Sequence, residues 1–164
     1  MNTIRVAWGT GSAPTEMAAY DAALADANLH NYNLVAVSSV VPTDVAVEAV
    51  GTAPDLGPAG ERLTVVEASA TRAGPGRVSA ALGWTTSEGG PESQQGPGLF
   101  YEAAGETDAE EVEERVRTGL AAGRELREWT FTDEQVRSVS TSAEPGTYAS
   151  AVVVAVYGES EPLL

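Results

Sequence analysis

Asn31 to Pro42 reads NYNLVAVSSVVP: an apolar run, Leu34-Val35-Ala36-Val37, stops at a serine pair, Ser38-Ser39, and resumes as Val40-Val41 before a proline. Four apolar residues bounded by turn formers predict a short buried strand. A serine pair at the end of such a strand is ordinarily a turn or a cap, since the hydroxyls satisfy local backbone groups. Here the pair is also flanked by apolar residues on both sides.

Outward from this segment the chain alternates strands and helices without repeats or a low-complexity linker. Thr3–Trp8 alternates as a strand, and Gly9-Thr10-Gly11-Ser12 follows as a flexible loop. Thr15 caps a helix to about Asn28, on which Met17, Asp21 and Leu24 fall in one row, placing an acid on an otherwise apolar face. Proline and glycine from Pro42 to Gly60 predict a long irregular loop. Arg62–Ala70 and Arg77–Trp84 read as a hairpin about Gly74-Pro75-Gly76, and a polar loop, Ser87–Gly96, leads to a strand at Gly98–Glu102. Thr107-Asp108-Ala109-Glu110 has capping-box spacing, and Val112, Val116, Leu120 and Gly123 follow one helical stripe. Glu111–Arg115 and Glu113–Arg117 are i,i+4 pairs on the opposite side. Gln135–Ser142 and Thr147–Tyr157 close the chain as strands about Glu144-Pro145-Gly146. About seven strands and two helices make one α+β domain.

Composition narrows the chemistry. The 164 residues carry 24 acids and nine bases, all of them Arg, with no Lys, no Cys and one His, His30. Without Lys no side chain can tether pyridoxal phosphate or fill a P-loop. Without Cys there is no thiolate nucleophile, iron–sulfur ligation or disulfide. One His allows no multi-histidine metal site and leaves a Ser-His-Asp triad possible only through His30, which reads as a plain turn residue. Gly9–Ser12 lacks the third glycine and the lysine of a phosphate loop. A net charge of −15 argues against nucleic acid and anionic membranes as partners and fits a surface adapted to high salt. No stretch reads as a signal peptide or a membrane span, so the expected location is cytoplasmic. A core of Ala and Val, with a single Ile, buries little area per residue and hints at an oligomer.

The segment Asn31–Pro42 closely resembles the self-cleavage segment of pyruvoyl-dependent arginine decarboxylases. The likeness extends to the Gly-Ser stretch with Tyr20-Asp21-Ala22-Ala23-Leu24, to Pro75-Gly76-Arg77-Val78-Ser79-Ala80-Ala81, to Gly98-Leu99-Phe100-Tyr101-Glu102, and to the helix end at Gly123–Trp129. It covers nearly the whole chain in order. It implies a four-layer αββα sandwich, homotrimers or larger assemblies with sites between subunits, and cleavage of residues 1–164 into a β chain, 1–38, and an α chain, 39–164. In that scheme Ser39 attacks the carbonyl of Ser38, and elimination and hydrolysis leave a covalent pyruvoyl group at position 39, whose ketone withdraws electrons as CO2 leaves arginine. Such a step needs a well-oriented Ser-Ser bond with donors for the oxyanion. The resemblance further implies that Asn33 assists cleavage, that Asp21 holds the guanidinium, and that Glu102, as a partly buried and protonated carboxyl, returns a proton to the α-carbon. Leu24, with Met17, Tyr32, Leu34 and the His30–Tyr32 turn, would line the pocket; no metal is implied. Thr43 replaces a second proline of the family, and Ala104 stands where an additional acid can occur. Two alternatives stay open at this point: a pyruvoyl decarboxylase of another amino acid, and an unprocessed homologue acting as a regulatory or structural subunit.

Overall fold

The computed structural model describes residues 2–164. In chain order its elements are β1 (Asn2–Ala13), α1 (Glu16–Asp26), β2 (Asn33–Ala36), β3 (Val40–Val41), β4 (Val45–Gly51), β5 (Arg62–Ala73), β6 (Gly76–Ser87), β7 (Gly98–Gly105), α2 (Ala109–Glu125), β8 (Phe131–Ala143) and β9 (Tyr148–Tyr157). The strands form two sheets, one ordered β2-β5-β9-β1-β4 and one ordered β3-β7-β6-β8. The first is mixed, because β2 runs parallel to β5 and β4 parallel to β1. The second is antiparallel throughout.

Three apolar clusters hold these elements. Ile4, Val6, Val66, Ala68, Val153 and Ala155 of the first sheet pack with Val78, Ala80, Leu82, Trp84 and Phe100 of the second. Ala23 and Leu24 of α1 and Ala27 at its end pack with Ala7, Leu63, Val65, Val152, Val154 and Val156 of the first sheet. Val112, Val116 and Leu120 of α2 pack with Ala81 and Leu99 of the second. The fold is α+β, as the sequence indicates.

Several expectations are corrected. The expected hairpin about Gly74-Pro75-Gly76 does not form, and the strands flanking Glu144-Pro145-Gly146 do not pair either. β5 and β9 pair with each other in the first sheet, while β6 and β8 pair in the second. The turns at Gly74-Pro75-Gly76 and Glu144-Pro145-Gly146 are therefore crossovers between sheets, and they touch, with the Gly74 amide donating to Thr147 O at 2.9 Å. The physical reason lies in burial: β6 and β9 are buried on both faces nearly throughout. A strand of that kind carries no period-two signal to say which neighbour it pairs with. The Pro42–Gly60 stretch is not all loop, since Val45–Gly51 adds β4 to the open edge of β1. With β3 this makes nine strands among the described residues.

Gly9–Ser12 is not a loop either. These residues continue β1, paired with Val152 to Ala149 of β9. The glycines are there for α1: a Cβ on Gly9 would lie 2.3 Å from Ala23 O, and one on Gly11 would lie 2.4 Å from Ala23 N. The helix consequently meets the sheet through its smallest residues. Its buried residues are Ala19, Ala23 and Leu24, while Met17 is 75% exposed and Asp21 is exposed. The row Met17-Asp21-Leu24 is thus not an apolar face, and helix-to-sheet approach has overridden side-chain size. Replacing Gly9 by Ala should destabilise the fold by about 1–3 kcal/mol through overpacking, which thermal melting would read as a fall of roughly 2–4 °C per kcal/mol for a chain of this size.

The helix ends follow local chemistry. Thr15 Oγ1 caps α1 by accepting from Ala18 N, and the helix stops at Ala27, before Asn28 with φ of 60°. The α2 cap is Asp108, accepting from Glu111 N, and not Thr107, whose carbonyl instead accepts from Ser79 Oγ. The expected stripe is the buried face of α2: Val112, Val116, Leu120 and Gly123. Both expected i,i+4 ion pairs form, at 3.0 Å for Glu111–Arg115 and 3.7 Å for Glu113–Arg117.

Candidate active site

The serine pair sits where the chain leaves one sheet for the other. Strand β2 is an edge of the first sheet and β3 an edge of the second. Val37 N donates to Val65 O at 2.9 Å, the last backbone tie to the first sheet, and three residues later Val40 pairs with Leu99 of β7. Ser38-Ser39 bridges the gap, so its peptide belongs to no ladder.

Its flanking groups are nonetheless held. Val40 N donates to Ser38 O at 3.0 Å, closing a tight turn, and Phe100 N donates to Ser39 O at 2.8 Å. Ser39 Oγ donates to Glu102 Oε2 at 3.3 Å. Glu102 reaches this point because β7 alternates: Leu99 packs in the cluster with α2, while Phe100 packs between the sheets. By the same period-two alternation Glu102 shares the side of Phe100. A cavity of about 310 Å³ opens here, lined by Ser38, Ser39, Val40, Phe100, Glu102 and Arg127 among others.

This arrangement suits attack of a hydroxyl on the preceding peptide carbonyl. The Ser39 hydroxyl has a carboxylate as proton acceptor, and the Ser38 carbonyl oxygen, where negative charge would develop, already accepts a backbone N–H.

Two residues of the site carry no signal in the sequence. Tyr157 ends β9, packs its ring against Phe100 at 6.2 Å between centroids, and donates its hydroxyl to Val40 O at 2.9 Å. Burial, and then the nearby charge of Glu102, push the Tyr157 phenol up to about 12, so it stays a donor at neutral pH. Arg127, just past α2, donates Nη1 to Gly123 O and lies 5.5 Å from the centre of the Trp129 ring. No carboxylate pairs with it among the described residues. A tyrosine closing an aliphatic strand and an arginine beyond a helix are too common to single out beforehand.

The other sequence-derived candidates lie elsewhere. Asn33 does not face the serine pair; it stands at the opposite end of β2, with Nδ2 donating to Gly60 O at 2.8 Å. Tyr32 fixes the same loop, accepting from Leu56 N and donating to Gly57 O at 2.8 Å. Leu24 is a core residue, only 7% exposed, within the cluster under α1. Asp21 is exposed on α1 and does not line the cavity with Ser39 and Glu102. Glu102 is exposed, not partly buried, because its cavity is open in the single chain. His30 is an exposed turn residue. The described residues contain no group of three His, Cys, Asp or Glu able to hold a metal ion, and no helix among them is long and apolar enough to cross a membrane.

Comparison with known proteins is consistent from end to end of the chain. The model of the family described as pyruvoyl-dependent arginine decarboxylase matches residues 3–162. A protein of Halobacterium salinarum with that name is 56% identical over 163 residues, covering 99% of this chain and 98% of that protein. Its namesake in Pyrococcus horikoshii is 35% identical over 146 residues, 87% and 88% of the two chains, and that of Methanopyrus kandleri 32% identical over 149 residues, 91% of each.

Proposed function

The chain belongs to the pyruvoyl-dependent arginine decarboxylase family, and from that membership we propose that it cleaves itself at Ser38–Ser39 and converts L-arginine to agmatine and CO2. The observation that carries the reading is the Ser39 Oγ–Glu102 Oε2 contact of 3.3 Å beside a Ser38 carbonyl engaged by Val40 N.

The residues present fit a pyruvoyl group derived from Ser39. Ser39 Oγ bonds to the Ser38 carbonyl carbon and passes its proton to Glu102. The Ser38–Ser39 C–N bond breaks and the released nitrogen takes a proton, which leaves an ester. Loss of the residue-39 α-proton then expels the Ser38 carboxylate as the end of the β chain, Met1–Ser38. Water replaces the nitrogen as ammonia departs, and the α chain, 39–164, is left with a ketone at its start. Throughout, Val40 N is the donor placed at the oxygen that takes up charge in the first step.

Once formed, a pyruvoyl group supplies an electrophilic ketone that captures an amino group and accepts the electrons released with CO2. Glu102 then delivers a proton to the substrate α-carbon. Arg127, a cavity-lining cation without a carboxylate partner among the described residues, faces the α-carboxylate of an incoming amino acid. Asn33 acts indirectly, by pinning the loop from which β2 starts.

Asp21 holds the guanidinium from a neighbouring copy, because within one chain it stands outside the cavity. Exposed Met17, Val35, Val37 and Val40 support an assembly: these are 75%, 43%, 42% and 45% exposed, and the three valines flank the serine pair. We assign a homotrimer of single-domain αβ units, each a four-layer αββα sandwich, since the three apolar clusters would stack in the order α1, first sheet, second sheet, α2. A cytoplasmic, salt-adapted protein accords with the charge of −15.

Intact-mass measurement and agmatine release from arginine, with ornithine and lysine as controls, test this function. Two fragments and arginine-dependent CO2 support it. A single unbroken chain in an active preparation sinks the pyruvoyl route, and equal turnover of ornithine or lysine points to another amino acid. A chain that neither cleaves nor turns over any of them is a regulatory or structural homologue. Asp21→Ala should raise KM for arginine roughly 10- to 100-fold, the scale of a lost charge-assisted contact of about 1.5–3 kcal/mol. An unchanged KM would remove Asp21 from the site.

A further inference from the structure

Strand β3 is only two residues long and lies at the edge of its sheet, with β7 as its one neighbour. Its inner side is tied to β7, as the Phe100 N–Ser39 O bond of 2.8 Å shows. On its outer side no strand among the described residues is available for the Val40 carbonyl, and the first sheet supplies a side chain instead: the Tyr157 hydroxyl, at 2.9 Å. That hydroxyl comes from the last residue of β9, a strand otherwise buried by Val and Ala and anchored between β5 and β1. The phenol therefore sits on a rigid support, against the ring of Phe100.

We propose that Tyr157 is a positioning residue whose hydroxyl clamps the segment after Ser39 across the two sheets and, once the Ser38–Ser39 bond is cut, holds the new chain end opposite Glu102. The inference rests on the reading that the chain cleaves itself at that bond. Before cleavage the segment is tethered on both sides, by β2 through Val37 N and by β3, so loss of one hydrogen bond is tolerated. After cleavage the upstream tether is gone. Residue 39 is then a chain end whose nearest anchors are Phe100 N and the Tyr157 hydroxyl, and ends with so few ties fray. The raised phenol pKa keeps the hydroxyl a donor over the working range.

Tyr157→Phe tests this, because it removes one oxygen and keeps the ring packed on Phe100. Three readouts apply to the purified, processed protein: kcat and KM for arginine, hydrogen exchange of the peptide beginning at residue 39, and the melting temperature. The expected result is self-cleavage within about threefold of normal, kcat lower by about five- to tenfold as for loss of one neutral hydrogen bond, and KM nearly unchanged. Exchange should rise in the first residues of the α chain and stay level elsewhere. Normal kcat with normal exchange overturns the clamp. A general rise in exchange with a collapsed melting temperature also overturns it, by assigning Tyr157 to core packing. A wild-type chain that stays whole overturns the functional reading instead, so the two failures are told apart by the wild-type control.

Discussion

Ser39→Ala should leave the chain in one piece and reduce agmatine formation to background. The argument is local: the variant keeps every backbone tie around the bond, including Val40 N to Ser38 O and Phe100 N to Ser39 O, and removes only the oxygen that attacks. The Ser39 side chain is half-buried and makes one hydrogen bond among the described residues, to an exposed carboxylate, so folding should be little affected. Intact mass should show a single species after prolonged incubation, with a melting temperature close to that of an uncleaved wild-type chain. Cleavage in the alanine variant would mean that another nucleophile acts. Ser38 is the adjacent candidate, and the mass of the fragments would identify the bond.

Glu102→Gln separates the two tasks assigned to one side chain. The amide retains an oxygen that can accept from Ser39 Oγ across the 3.3 Å contact but cannot take up its proton, so the first step keeps its orientation, loses its base to water, and cleavage should go to completion more slowly. What Gln cannot do is give up a proton to carbon. Turnover should fall about 10²- to 10⁴-fold, the usual contribution of a positioned general acid, while the fragments appear as in the wild type. Loss of both activities together would make Glu102 essential to maturation first. Retention of both would place the proton donor elsewhere.

How far the sequence revealed this molecule depended on whether one side of an element faces water. The α2 stripe of Val112, Val116, Leu120 and Gly123 was legible because its other face carries Glu111–Arg115 and Glu113–Arg117. β6 and β9 were visible as strands, but burial on both faces erased the alternation that assigns partners, and the crossover at Gly74-Pro75-Gly76 looked like a hairpin. β4 was hidden among prolines and glycines because its place depends on the free edge of β1, a long-range fact. At the site, Ser38-Ser39 and Glu102 were found through resemblance, and the fold brings them together across two strands. Tyr157 was not found, because its hydroxyl meets a backbone carbonyl 117 residues away and no local pattern marks such an encounter. Asp21 was named from the same resemblance, yet it does not line the cavity of its own chain, and no pattern in a single sequence reports which surfaces two copies would share.

The strand order has a last consequence for the proposed cleavage at Ser38–Ser39. The segment ahead of the cut contributes β1 and β2, and β1 is inserted between β9 and β4, both of which come from the segment after it. A cut at Ser38 therefore frees no layer and opens no ladder, since the broken peptide lies in the crossing between sheets. It does change the order of the unfolding reaction. The uncut chain unfolds as one molecule, whereas the cut form comes apart into two, and its apparent stability then rises with protein concentration as for any heterodimer. The proposed cleavage would thus exchange a chain-entropy constraint for mass action, with the shorter fragment kept by being threaded through the middle of a sheet.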